Sequence, residues 1–166
     1  MTMPPGTAAG SGNNMLKLFD GFAGKTLEQR VQEIVDREEI RELAARYAQR
    51  VVRRQSMADM FTDDGVFIVR LPGKPVQEAR GRAQLDQIFA AAIAQPSLNM
   101  PAIHNHVISI AGDEATELCW IELYTLDDKG RHFTGAGCYE DRLRRENGCW
   151  KFVVRDCTVL AVGTPP

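Results

Sequence analysis

The residue pattern changes character once, near Gly65, and this change constrains the fold more than any other feature of the sequence. Before it, apolar residues recur at helical spacing over residues 27–35 and again over residues 40–51. After it, β-branched and aromatic runs alternate with turn sequences. Helices followed by meandering strands are typical of an α+β fold.

The helical part contains a change of phase near Asp36. Asp36 with Glu39 three residues later has the pattern of an N-cap and capping box, which leaves two helices and one kinked helix as alternatives. Ser56 then begins a short helix that runs through Phe61, and the sequence Asp63-Asp64-Gly65 ends it.

The second part of the chain predicts six strands and one further helix. Turn sequences such as Gly112-Asp113 and Glu146-Asn147-Gly148 separate them. The predicted strands are Val66–Val69, Val76–Ala79, His104–Ile110, Ala115–Leu126, His132–Arg144 and Cys149–Leu160, and the helix is Arg82–Ala94. We therefore expect a cone-like fold, in which helices pack on a strongly curved mixed or antiparallel β-sheet.

The length of 166 residues suits one domain. Residues 1–24 are rich in Pro, Gly, Ser and Asn at their start and predict a disordered or loosely docked leader. Within it, Met15–Phe22 carries four apolar side chains that would dock on the domain or on a partner subunit. Residues 25–162 form the predicted domain, and residues 163–166 form a tail.

Composition excludes several classes of partner. The formal net charge of −2 provides no basic field for nucleic acid, and no apolar run is long enough to span a membrane. The four cysteines contain no C-x-x-C pair and no metal-type spacing with histidine, so we expect a cytoplasmic protein with no cofactor and no metal.

Several segments together are similar to one known family. They are Arg37-Glu38-Glu39-Ile40-Arg41-Glu42-Leu43 with Arg46-Tyr47-Ala48, Met60-Phe61-Thr62-Asp63-Asp64-Gly65-Val66-Phe67, Gly81-Arg82, Asn105-His106-Val107-Ile108, and Tyr139-Glu140-Asp141 before Trp150-Lys151-Phe152. In order and spacing they resemble the SnoaL-like family of the nuclear-transport-factor-2-like superfamily, over residues 27–160. The resemblance implies a cone that binds a small hydrophobic molecule.

The resemblance also implies where an acid–base pair would lie. Catalytic relatives often use an aspartate a few residues after the tyrosine of the first helix. They pair it with a histidine four residues before the asparagine of the Asn-His-Val-Ile-like strand. Here no carboxylate follows Tyr47 until Asp59, and Pro101 stands four residues before Asn105. Both members of the usual pair are therefore absent.

His104 is the remaining candidate for proton transfer. Strict alternation puts it on one face with His106, and that face is expected to be covered. The alternative is a half-exposed histidine on a strand face. Tyr47 and Asn105 are candidate hydrogen-bond donors to a substrate oxygen, and the predicted pocket-lining residues are Phe61, Phe89, Trp120, Tyr124, Val52 and Arg50.

Two classes of function follow. One is a cofactor-free lyase or isomerase, of the dehydratase, isomerase or cyclase type, acting on a hydrophobic oxygenated substrate. The alternative is a non-catalytic ligand-binding or assembly domain, or the small subunit of a larger oxygenase, and the absent acid–base pair favours it. We also expect a homodimer through the open sheet face, which would cover apolar side chains such as Trp120 and Phe133.

Overall fold

The computed structural model of the protein describes residues 22–162, and the side chains of residues 22–160. The tail at 163–166 and most of the predicted leader, including nearly all of Met15–Phe22, lie outside the described residues. No helix in the described part of the chain is long and apolar enough to cross a membrane.

The first helix, α1, is one continuous helix from Leu27 to Val52. Thr26 is its N-cap and forms a capping box with Gln29, so the predicted cap at Asp36 is wrong. Asp36 lies inside the helix, where its buried carboxylate accepts hydrogen bonds from Gln32 and Arg145. The phase of the apolar residues changes because the first set is exposed and only the second set faces the sheet.

The remaining elements follow the predicted order with shifted boundaries. A single 3₁₀ turn replaces the predicted short helix, and the Asp63-Asp64-Gly65 sequence lies inside the first strand, because this strand begins earlier than expected. The elements are the 3₁₀ turn Ala58–Met60, β1 Phe61–Arg70, β2 Gln77–Arg80, α2 Gly81–Ile93, β3 Leu98–Ala111, β4 Glu114–Asp127, β5 Gly130–Glu146 and β6 Cys149–Val162.

The six strands form one mixed sheet in the order β2-β1-β6-β5-β4-β3. Only the β1–β6 pair is parallel among the described strands, and the other neighbours are antiparallel. Asn147 and Gly148 both have positive φ, which is the backbone conformation that a two-residue hairpin turn requires. The expected α+β class, with helices on a mixed sheet, is confirmed.

Within residues 22–162, both helices lie on the same side of the sheet and enclose an aromatic core. α1 packs against β3 and β6, and α2 packs against β1 and β2. The ring of Phe61 lies 5.3 Å from that of Phe152 and 5.7 Å from that of Phe89, between centroids. Tyr47 of α1 meets Phe152 edge to face at 6.1 Å. Burial of such aromatic side chains is the main stabilising contribution in a small domain.

Gly137 allows β5 and β6 to approach closely at an irregular point of their register. A Cβ atom at this position would lie 2.1 Å from the carbonyl oxygen of Thr158, a backbone atom that cannot rotate away. We expect Gly137→Ala to lower the free energy of unfolding by at least about 2 kcal/mol, measured by urea denaturation.

Gly112→Asn is the matched control for this substitution. Gly112 has a φ of 64°, which asparagine tolerates, and nothing lies within 4 Å of its Cβ position. A Gly137→Ala protein as stable as the Gly112→Asn protein would contradict the close approach.

Candidate functional site

A bulge in β3 decides which histidine faces the helices. His104 pairs with Trp120 and Val107 pairs with Leu118, so two residues of β3 lie opposite one residue of β4. Asn105, within this bulge, has a φ of 57°. A bulge reverses the alternation of side chains. His106 therefore faces the helices, and His104 points to the outer face of the sheet.

A second bulge, in β6, turns an arginine inward. Phe152 pairs with Leu143 and Val154 pairs with Arg142, which leaves Val153 as the extra residue of β6. Beyond the bulge, the helix-facing positions shift from even to odd numbers. Phe152 and Arg155 are consequently both fully buried, although an unbroken strand would place them on opposite faces.

Together the bulges align four ionisable side chains across β3, β4, β5 and β6. Glu117 pairs with Asp141, and Asp141 pairs with Arg155, at directly opposite positions of neighbouring strands. Glu117 and Arg155 are 0% exposed and Asp141 is 1% exposed. We call His106, Glu117, Asp141 and Arg155 the polar row. Charged groups buried to this extent are costly unless they pair with one another.

His106 and Glu117 form a close imidazole–carboxylate pair. Nδ1 of His106 lies 2.7 Å from Oε1 of Glu117, and 15% of the histidine side chain is exposed. A carboxylate at Nδ1 favours the tautomer that carries its proton there, which leaves Nε2 as the basic nitrogen. The pair is therefore arranged to accept a proton at Nε2.

Asp141 lies between Glu117 and the arginine. Burial raises the pKa of the Asp141 carboxyl group well above its ordinary value, and the neighbouring Glu117 raises it further, whereas Arg155 lowers it. Two buried carboxyl groups at opposed cross-strand positions cannot both ionise at low cost. The carboxylate of Glu117 therefore makes ionisation of Asp141 more costly.

Arg155 is surrounded by aromatic rings and has no hydrogen-bond acceptor among the described residues. Its guanidinium carbon lies 3.8 Å from the ring centroid of Tyr139, 4.2 Å from that of Tyr47 and 4.4 Å from that of Phe152. Nη1 forms an ion pair with Oδ2 of Asp141 at 3.5 Å, but none of its nitrogens donates a hydrogen bond within the described part of the chain.

The charge of Arg155 persists despite this burial. Burial by itself lowers the pKa of the guanidinium, but attraction to Asp141 and to Tyr139 and Tyr47 outweighs it and raises the pKa overall. Cation–π contacts with buried rings add to this stabilisation. A permanent positive charge therefore lies in the interior of the fold.

Three predicted site residues lie in this interior. Tyr47 is buried against Arg155, and burial raises the pKa of its hydroxyl group. Phe61 and Phe89 belong to the same core cluster, beside the polar row. Val52 is half-buried at the end of α1.

The structure places the other predicted site residues elsewhere. His104, Trp120 and Tyr124 lie on the outer face, where His104 is 3.9 Å from Glu122 and the Tyr124 hydroxyl donates to Glu122. Strict alternation failed for His104 because of the bulge, in which Asn105 itself is exposed. Trp120 is 44% exposed and therefore lines no interior pocket. Arg50 binds Asp59 and the carbonyl oxygen of Ser56, which holds it outside the interior.

Sequence reasoning missed the polar row itself. Arg155 and Asp156 are neighbours on β6 and point to opposite faces, so that Asp156 binds Arg70 on the outside whereas Arg155 is buried. A usable signal was present for the two carboxylates. Glu117 alternates with Ala115 and Cys119, and Asp141 alternates with Tyr139 and Leu143, so each acid occupies an apolar face.

One group of side chains in the described residues has donor atoms suited to a metal. A histidine nitrogen, a carboxylate oxygen and a thiol sulfur of His106, Glu117 and Cys119 lie within 4.8 Å of one another. Burial raises the pKa of the Cys119 thiol, and the nearby carboxyl groups raise it further. Because thiolate is the metal-binding form and Arg155 adds positive charge, this group fits a divalent ion poorly.

Asp141→Asn replaces a carboxyl group by a neutral group of the same shape. Below the unfolded-state pKa of about 4 both states are protonated, and above it only the folded state keeps the proton. Asp141 therefore lowers stability progressively as the pH rises.

We expect the unfolding free energy of Asp141→Asn, relative to the parent protein, to rise with pH above about 4, by at most about 1.4 kcal/mol per pH unit. Urea denaturation between acidic and neutral pH measures this difference. If the two stability curves stay parallel, the burial of an ionisable Asp141 is refuted.

Comparison with known proteins identifies the family. Residues 32–156 match the model of the SnoaL-like domain, and no curated protein matches the sequence. A nuclear-transport-factor-2-like protein with a cystatin-like fold from Novosphingobium aromaticivorans has 24% identity and a TM-score of 0.66, covering 81% of this chain and 88% of that chain.

Two further structures from that organism share the fold. A putative scytalone dehydratase has 18% identity and a TM-score of 0.69, covering 79% of this chain and 88% of that chain. The beta subunit of a putative aromatic-ring-hydroxylating dioxygenase has 18% identity and a TM-score of 0.69, covering 80% of this chain and 94% of that chain. Because the domain model matches most of the sequence and the architecture agrees with these cone-shaped structures, the chain belongs to the SnoaL-like family.

Proposed function

We propose that the protein is a cofactor-free acid–base enzyme that acts on a hydrophobic, oxygenated small molecule. The reaction would be a dehydration, an isomerisation or a cyclisation. The observation that carries the proposal is the 2.7 Å contact between His106 and Glu117 on the helix-facing side of the sheet. An imidazole held by a buried carboxylate is a standard arrangement for a general base.

The chemistry requires only a proton transfer. Nε2 of His106 removes a proton from a carbon next to a carbonyl group, and the electron pair of the C–H bond moves into the carbonyl system. Glu117 stabilises the imidazolium ion that results. The imidazolium then returns the proton to another carbon in an isomerisation, or to a leaving hydroxyl group in a dehydration.

The polar row supplies a substitute for the acid–base pair that the sequence lacks. The expected aspartate of the first helix is absent, and Asp59, the next carboxylate along the chain, is bound by Arg50. Glu117 provides a carboxylate from β4 instead, two residues from Cys119 on the buried face. The resemblance to a putative scytalone dehydratase supports this interpretation only at the level of the fold.

His106→Ala and His104→Ala form a matched pair, because the two histidines lie two residues apart on opposite faces of the sheet. Proton transfer can be measured without knowing the product, as exchange of carbon-bound hydrogen in D₂O for a panel of aryl ketones such as 1-tetralone. We expect the exchange rate of His106→Ala to be at least about 100-fold lower than that of the parent protein. The exchange rate of His104→Ala should equal that of the parent protein.

If His104→Ala loses the exchange activity and His106→Ala retains it, His104 is the general base instead of His106. Equal exchange rates for the parent protein and His106→Ala with every ketone of the panel would contradict the acid–base proposal. The chain would then be better described as a non-catalytic ligand-binding or assembly domain. The similarity in fold to a dioxygenase beta subunit provides a precedent for a chain of this shape named as a subunit of a larger enzyme.

The homodimer expected from the sequence remains a prediction. The outer sheet face exposes Trp120 and Phe133, with Tyr124 against Phe133 at 5.7 Å. If a second copy covers this face, the parent protein has a dimer mass in multi-angle light scattering and Trp120→Asp shifts it toward the monomer. A monomeric parent protein at micromolar concentration contradicts the prediction.

We also propose a reducing, cytoplasmic location. All four cysteines are free thiols, and two of them, Cys119 and Cys157, are buried. Free buried cysteines behave as small apolar residues and are usual in reducing compartments.

A further inference from the structure

The first part of α1 carries an exposed stripe of apolar side chains. Four of them recur at i, i+4, i+7 and i+8, the spacing of one helix face, and they are between 43% and 77% exposed. Single apolar residues on a surface are ordinary, but a contiguous group of them marks a contact surface. We call this group the α1 stripe, and its residues are Leu27, Val31, Ile34 and Val35.

This part of the helix receives little support from the sheet. Among the described side chains, none of those from residue 27 to residue 35 is buried, and the first buried residue of α1 is Asp36. A helical segment shorter than about 12 residues is only marginally stable unless its apolar face packs on another element. An element that covers the α1 stripe would therefore stabilise the beginning of α1.

The chain turns back on itself directly before α1. The N–H group of Lys25 donates to the carbonyl oxygen of Phe22 at 3.1 Å, and Gly24 between them has a φ of 74°. Glycine in this conformation commonly follows the last turn of a helix. Residues 23–26 form a connection of the length, about two to five residues, that joins antiparallel helices in a helical hairpin. The turn therefore directs the chain before Phe22 back along α1.

The sequence before this turn has a matching apolar pattern. Residues 15–21 lie outside the described residues, and with Phe22 their sequence has apolar side chains at i, i+3, i+4 and i+7. Asn14, directly before this pattern, is of a residue type preferred at the N-cap. The sequence therefore predicts a short amphipathic helix. We call its apolar face the leader stripe, and its residues are Met15, Leu18, Phe19 and Phe22.

The two stripes agree in length and in register. Each extends over about 10–12 Å, at the helical rise of about 1.5 Å per residue. In an antiparallel hairpin about Gly24, the two stripes meet in layers. The layers are Phe22 with Leu27, Leu18 and Phe19 with Val31, and Met15 with Ile34 and Val35. A shift of one residue along either helix would rotate one stripe by about 100° and break this correspondence.

The size of the α1 stripe favours a segment of the same chain over a second copy. A standard interface between two proteins uses roughly 20–30 residues on each side, whereas the stripe provides four. A segment of the same chain has only to close the short connection at residues 23–26, which costs little conformational entropy.

We propose that Met15–Phe22 forms an amphipathic helix that docks antiparallel on the α1 stripe of the same chain. The leader stripe and the α1 stripe then cover each other, and the docked helix holds the beginning of α1 in place. The α1 stripe is thus an internal contact surface of the full chain.

Nuclear Overhauser effects in the full chain test the contact and identify its source. We expect effects between the ring protons of Phe19 and the methyl protons of Val31 in uniformly ¹³C-labelled protein. In an equal mixture of labelled and unlabelled chains, we expect no such effect between a labelled and an unlabelled chain. An effect between chains would assign the stripe to a second copy and overturn the proposal. Absence of any effect between Val31 and residues 15–22 would also overturn it.

Leu18→Asp and Leu16→Asp are matched substitutions in the full chain. Both introduce the same charge two residues apart, but Leu18 belongs to the leader stripe and Leu16 does not. Neither residue lies in the described domain, so both variants keep its core. We measure amide hydrogen exchange of residues 27–35 by mass spectrometry. We expect exchange at least about tenfold faster than in the parent protein for Leu18→Asp, and within about threefold of it for Leu16→Asp.

The comparison between the two variants decides the outcome. Equal exchange rates of residues 27–35 in Leu18→Asp and Leu16→Asp, whether fast or slow, would show that the leader stripe does not cover α1. Faster exchange in Leu18→Asp alone supports the docked helix and its register.

Discussion

The interior of this protein is organised around one buried cation. Arg155 is fully buried between Tyr47, Tyr139 and Phe152, and Asp141 is its ion-pair partner. A buried cation is costly in an apolar environment unless it has partners, so Arg155 depends on Asp141 and on the surrounding rings. The bulge in β6 that turns Arg155 inward and the carboxyl groups on β4 and β5 therefore depend on one another.

The same arrangement connects stability to the proposed function. Asp141 on β5 is the ion-pair partner of the buried Arg155, and Glu117 on β4 lies directly opposite Asp141. Glu117 then reaches His106 at the edge of the row, where the imidazole is partly exposed. The only partly exposed member of the row is thus the group best suited to proton transfer. Its orientation is set by a chain of buried neighbours.

Much of the fold could be predicted from the sequence, because local patterns determine it. The strands after Gly65 carry β-branched and aromatic runs, and turns such as Asn147-Gly148 have the backbone conformation that their residues favour. The sequence predicts a cap or kink at Asp36 inside the continuous α1, because an acid that pairs with Arg145 across the fold has the same local pattern as an N-cap. That pairing joins residues 109 positions apart in the sequence and has no local signal.

The candidate site was harder to predict, because single-residue irregularities decide it. Alternation along β3 and β6 is a reliable guide only where the strand is regular, and one extra residue in each strand exchanges its faces. His104 and Arg155 therefore lie on faces that strict alternation does not predict. Asn105, which tolerates positive φ, was the one local indication of the bulge in β3.

The central claim is that Glu117 holds His106, and no other histidine, in one orientation and tautomer. ¹⁵N–¹H correlation spectra of the histidine rings in the parent protein and in Glu117→Gln test it directly. The account predicts that His106 is in the Nδ1–H tautomer, with a strongly deshielded Nδ1 proton that Glu117→Gln removes, while the signals of His104 and His132 stay unchanged. A mixture of tautomers for His106 that is the same in both proteins would contradict it.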